Sequence, residues 1–255
     1  MSRLASEAEL VKLGRALAVE PEALAFLDGV AATELRSLRA AVHALAFDQD
    51  RTLFERLASL VEPLPTRLTA MLAQRGGPLL TARVAGEMAP HRGAAVAARL
   101  PVAFRADVGA ELDPRRTAEL IRSLPVVRIV EVALVLVERG DHVTLSRFVD
   151  LLPDVTVGAC MEAIEDEGAL LRIAYFMSSK DRLGRLFGLT SHARRERLVE
   201  CVADDPDGLW RPFASLLVHG GEPLRREFAE LAQARLDRAD VARVAAAVAA
   251  ECDGV

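Results

Sequence analysis

"LPVAFRADVGAELDPRRTAELIRSLPVVRIVEVALVLVERGDHVTLSRFVDLLP" spans Leu100–Pro153 and contains Leu-Pro three times, ending at Pro101, Pro125 and Pro153. The marks are 24 and 28 residues apart, and two short helical patterns lie between successive marks. Val102–Leu112 is followed by Pro114–Leu124, then Val126–Glu138 by His142–Leu152. A proline just beyond each second helix stops that helix and sets the start of the next pair. A repeated helix pair of this length is the sequence form of an α-solenoid, in which neighbouring units bury one another's apolar faces. The rhythm continues without the mark through Val155–Asp166, Ala169–Met177, Asp181–Leu189 and Ala193–Ala203. The expected fold is therefore all-α: an α-solenoid, or superhelical array of short antiparallel helix pairs.

"VVRIVEVALVLVE" (Val126–Glu138) tests that expectation, because its β-branched residues favour a strand. Its polar residues decide the matter. Arg128, Glu131 and Glu138 are offset by 3 and 7, one face of a helix, whereas a half-solvated strand alternates every second residue. The segment is expected to be a helix buried on nearly all sides. Elsewhere "LFERLASLVEPL" sets Leu53, Leu57, Leu60 and Val61 on one face, and "PDGLWRPFASLLVHG" groups Leu209, Phe213, Leu216 and Leu217. "RGGPLL" (Arg75–Leu80) and "HGGEPLR" (His219–Arg225) share a design: glycine can take the left-handed turn that ends a helix, and proline starts the next. The expected joint is "FDQD" (Phe47–Asp50), which separates an N-terminal helical portion, 1–48, packed on the array, from a helical-repeat domain, 49–255.

Composition agrees with a helical core. The chain has 255 residues, is 51% apolar and 27% charged, and carries only 4% aromatics, so Leu, Val and Ala must fill the interior. The net charge of −5 argues against a nucleic-acid partner, which calls for a basic stripe against phosphates, although "HARRERL" (His192–Leu198) is locally basic. Of 32 cations only Lys12 and Lys180 are lysine, and Asn is absent, a joint bias that reads as GC-rich coding. Cys160, Cys201 and Cys252 lack zinc spacing and are odd in number, so they read as thiols of a reducing cytoplasm. No signal peptide is read at the N-terminus. The most apolar run, Val132–Val137, is far short of the about 20 residues a bilayer helix needs, so no membrane insertion is expected.

"LDPRRTAELIRSLP" (Leu112–Pro125) resembles the short-helix repeat in the cytosolic N-terminal domain of MgtE-type magnesium transporters, and related superhelical folds occur in HEAT-like arrays. The resemblance covers about Leu100–Pro153 and implies the superhelical architecture. Arg115 and Arg116 stand where acids would help hold a cation, so it implies no metal ligand here.

The chemistry-bearing residues are scattered. His43, His91, His142, His192 and His219 form no HxxxH pair, and neither double glycine ends as a phosphate loop. Acid clusters in "EAIEDEG" (Glu162–Gly168) and "ADDPDG" (Ala203–Gly208) read as helix ends. No metal and no cofactor is expected. The candidate ligand-binding residues are Arg128, Glu131, His142, Arg172 and Tyr175, polar groups in apolar surroundings that could orient a ligand in a concave pocket. Two functions follow: a non-catalytic repeat protein that binds a protein or peptide on its curved face, or an all-helical enzyme or carrier with an apolar pocket for a small hydrophobic molecule.

Overall fold

The structure, a computed structural model, describes residues 3–48 and 50–252. Gln49, inside the expected Phe47–Asp50 joint, lies outside the described residues, as does the side chain of Cys252. The described residues form helices joined by short turns and contain no strand. The helices are α1 (Arg3–Leu17), α2 (Ala32–Asp48), α3 (Arg51–Val61), α4 (Thr66–Ala85), α5 (Pro90–Ala97), α6 (Val102–Glu111), α7 (Pro114–Ser123) and α8 (Val126–Glu138). They continue as α9 (His142–Val149), α10 (Asp154–Ala163), α11 (Glu167–Phe176), α12 (Leu183–Gly188), α13 (His192–Asp204), α14 (Pro206–His219), α15 (Glu222–Arg235) and α16 (Arg238–Cys252). Two compact units are present: Met1–Val42 with Ile164–Val255, and His43–Ala163.

The second unit is an array of paired helices. Each of α4, α6, α8 and α10 packs on the next in that series, while α5 packs on α7 alongside them. The Leu-Pro marks open this layer: Pro101 and Pro125 are the N-caps of α6 and α8, and Pro153 immediately precedes α10. Leu64-Pro65, 36 residues before Leu100-Pro101, does the same for α4, with Pro65 as its N-cap. Each proline carbonyl accepts the first backbone bond of its helix, from Leu68, Arg105, Arg128 and Thr156 at 2.8–2.9 Å. Proline suits this place because its fixed φ leads into the helix and its missing N–H would have no partner there. Leu100 and Leu152 of these pairs are buried, Leu100 in a cluster with Ala70 of α4 and Val96 of α5.

α4 is bent where the glycine–proline pattern predicts a break. Gly77 sits at φ 84°, a left-handed position that a side chain strains, and Pro78 begins the second arm. Gly221 repeats the device at φ 82° before α15. The expectation for Val126–Glu138 needs one correction. It is a helix, but not buried on nearly all sides: only Ala133 and Leu136 are buried, and Val127 is 61% exposed. Flanked by α6 and α10 in its layer and backed by α9, it leaves a remaining side uncovered.

In the first unit α14 is central, packing on α1, α11, α12, α13, α15 and α16. Its Phe213 meets Phe228 of α15 edge-on at 5.7 Å, and both rings are fully buried. The N-terminal portion contributes α1, which lies on α11 and α14, and the greater part of α2. A second apolar cluster there joins Leu10, Leu13, Leu24 and Leu35.

Arginine ties neighbouring repeats together in both units. In the second, Arg116 pairs with Glu87 at 2.7 Å, Arg105 with Glu131 at 2.7 Å and Arg139 with Asp107 at 2.7 Å, while Arg92 donates to the Leu64 carbonyl and Arg147 to that of Leu112. These partners are 26–35 residues apart, about one repeat. In the first, Arg194 and Arg197 reach Glu167 at 3.1 and 3.0 Å, and Arg195 pairs with Glu227. A guanidinium has the reach and the five forked donors to satisfy carbonyls and carboxylates of the next repeat at once. The arginine bias thus has a structural use, whatever its coding origin.

Candidate functional site

The five polar candidates fall into both units and are described within each. In the second unit, Arg128 Nη1 donates to both Glu131 oxygens at 3.1 and 3.0 Å, and Arg105 from α6 donates to Glu131 Oε2 at 2.7 Å. The hydrogen bonds from Arg105 and then Arg128 hold the Glu131 carboxyl below the usual carboxylate range. Glu131 is thereby an acceptor shared between two guanidinium groups and stays ionised near neutral pH. His142 opens α9, half-buried, directly after the Asp141 cap, whose carboxylate accepts from Thr144 N at 3.1 Å.

In the first unit, Arg172 pairs with Asp205 at 2.9 Å, and Asp205 also caps α14 by accepting from Gly208 N at 3.1 Å. Tyr175 is buried, edge-on to Phe176 at 5.2 Å. Burial pushes its phenol well above the ordinary value, so the ring keeps its proton across the neutral range. The acid clusters behave as helix ends: Asp166 caps α11 through Ala169 N at 2.8 Å, and Asp207 pairs with Arg243 at 2.9 Å. Among the described residues, no group of three or more His, Cys, Asp or Glu side chains is placed to hold a metal ion. Burial pushes the free Cys160 thiol up to about 11, an unreactive setting.

The most deeply buried charges escaped the sequence reading. Glu9 on α1, 2% exposed, accepts from Lys12 at 2.6 Å, Arg39 at 3.0 Å and Arg36 at 3.4 Å. Burial alone would raise its carboxyl, but Lys12 and Arg39 outweigh that and hold it below the ordinary value. Lys12 also donates to the Phe176 carbonyl at 2.9 Å, so the cluster is stitched to the end of α11. A Glu-x-x-Lys spacing in α1 was the available signal, but it is too common on solvated helices to mark a buried pair.

Large apolar side chains also stand exposed among the described residues. On α4, Leu68, Met71 and Leu72 are 41%, 50% and 43% exposed, with Leu79 and Leu80 also exposed beyond the bend. In the same layer α8 exposes Val126, Val127 and Leu134, and α10 exposes Val155. In the first unit an open depression of about 500 Å³ is lined by Leu27, Val30, Thr33, Glu34, Leu35, Ser37 and Leu38. No helix among the described residues is long and apolar enough to cross a membrane. No protein-family model, curated protein or solved structure matches the chain.

Proposed function

We propose that the chain is a non-catalytic helical-repeat protein of the cytoplasm that binds a protein or peptide partner on the uncovered side of the Leu-Pro-marked layer. The observation that carries this reading is the exposed Leu, Met and Val series on α4, α8 and α10. Exposed large apolar side chains gathered on stacked helices are a mark of interaction surfaces, and stacked helix pairs offer extended faces for them. The engagement of Arg105, Arg128, Glu131 and Arg172 in ion pairs, with Tyr175 buried, favours structural roles for these groups over acid–base work. Kinship with the N-terminal module of MgtE-type transporters belongs to this proposal at the level of architecture alone.

A small hydrophobic ligand is the second reading, favoured by the depression lined by Leu27, Val30, Leu35 and Leu38. Native mass spectrometry of freshly purified protein separates the two. A co-purified polypeptide that is lost in Leu72→Glu supports the partner-binding face. A bound small organic mass that survives Leu72→Glu and is lost in Leu38→Glu, whose exposed side chain lines the depression, supports the pocket and removes the first reading.

A further inference from the structure

The α4 face is more specific than an apolar patch. α4 runs for 20 residues with Arg67, Arg75 and Arg83 and without a single Asp or Glu, in a chain whose net charge is −5. Residues three and four apart on a helix are surface neighbours, so Arg67, Leu68, Met71, Leu72 and Arg75 form one continuous exposed ridge. Among the described residues, the Arg67 and Arg75 guanidinium groups have no carboxylate partner, whereas so many other arginines of the second unit are bound to the next repeat. The exposed side of α8 differs, since its Arg128 and Glu131 neutralise each other.

We infer that this ridge docks an amphipathic helix of a partner protein whose apolar stripe is flanked by Asp and Glu. The inference rests on the partner-binding reading and adds the partner's chemistry to it. Leucine and methionine at three- and four-residue spacing offer the ridge that a second helix packs into, and methionine adapts its shape to that helix. Two unpaired guanidinium groups at either end of the apolar residues select carboxylates and repel basic segments. An anionic membrane surface is the less fitting occupant: α4 has no Trp, Tyr or Phe to anchor at an interface, and Gly77 bends it.

The test uses the full chain and two fluorescent helical peptides of about 18 residues, with the same leucine stripe but Glu or Lys flanks, read by anisotropy. The Glu peptide binds at least about tenfold tighter than the Lys peptide at low salt and weakens as salt rises. Arg67→Glu with Arg75→Glu reverses the preference, Arg67→Gln with Arg75→Gln abolishes it, and Leu72→Glu weakens both peptides. These side chains are exposed, so circular dichroism and melting of the variants stay at the parent values. Equal binding of the two peptides, failure of the Glu peptide to bind, or binding to phosphatidylserine vesicles without binding to the Glu peptide overturns the inference. In each of those cases a co-purified polypeptide lost in Leu72→Glu still leaves the broader partner-binding reading in place, so the two failures are distinguishable.

Discussion

Lys12 and Lys180, the two lysines of the chain, converge on the last turn of one helix. Lys12 Nζ donates to the Phe176 carbonyl at 2.9 Å, and Lys180 Nζ donates to the backbone carbonyls of Tyr175 at 2.6 Å and Ala174 at 2.9 Å. The final carbonyls of an α-helix lack intrahelical partners, and the helix dipole favours positive charge beside them. An ammonium is compact and spreads three donors around one point, which suits carbonyls that splay outward from a helix end. Lys12, itself buried, uses this geometry to join Phe176 to Glu9 and Ser178.

Replacing Lys12 by Met therefore leaves Glu9 short of its nearest cation and Phe176 short of a donor. Unfolding in urea is expected to show a loss of about 3 kcal/mol. Lys12→Arg should recover only part of it, because a planar fork reproduces neither the size nor the direction of the three bonds. A loss under about 1 kcal/mol for Lys12→Met would mean that the cluster is not structural.

Gly184 of α12 packs so closely on the end of α14 that a Cβ there would lie 2.4 Å from the Gly220 carbonyl oxygen. The obstacle is backbone, which cannot swing aside. Gly184→Ala is expected to destabilise the first unit by about 2 kcal/mol, despite the better helix propensity of alanine. Gly188→Ala, four residues later with open space around it, serves as the control and should be neutral or slightly stabilising in a thermal melt.

The pH dependence of stability should show two limbs. Burial lowers the His219 value below its ordinary 6.5, and its Nδ1 lies 2.8 Å from the Ser215 carbonyl. The unfolded chain then takes up that proton first, so stability is full above about pH 7, falls as pH drops through 6.5, and levels off once the folded His219 is charged. Glu9, held below its ordinary 4.5, adds stability that is complete above that value and is lost as pH falls through the folded one. Melting temperatures from pH 8 to pH 3 check both, with His219→Gln removing the first limb and Glu9→Gln shrinking the second, to which Glu131 and Glu227, also held below the ordinary carboxylate value, contribute as well.

The exposed ridge makes the opposite kind of prediction. Leu72 stands 43% exposed, so Leu72→Glu should change stability by less than about 1 kcal/mol while weakening partner binding. Leu136→Ala, on the buried side of α8, should cost about 3 kcal/mol. Their chemical denaturation midpoints check that Leu72 faces solvent and Leu136 the core: equal losses for the two would contradict it.

Local pattern alone determined that this chain is helical and where its helices start. Arg128, Glu131 and Glu138 set the phase of α8, Gly77 and Gly221 marked left-handed breaks, and Leu-Pro at Pro101, Pro125 and Pro153 opened every second helix of the array. Those properties depend on a residue and its near neighbours, which the one-dimensional string records. Tertiary structure alone decided which sides are covered and which charges meet. Val127 and Leu72 look like core residues until one asks whether a helix from another repeat lies over them. Glu131 stands three residues from Arg128, within its reach on one helix, yet its shorter bond comes from Arg105, one repeat away. Glu9 and Lys12 have the spacing of an ordinary surface pair and become a buried cluster because α2 and the end of α11 close around them. Periodicity reports the polarity of a helix face; burial and ion pairing depend on distant segments brought together, and no spacing within one helix encodes that.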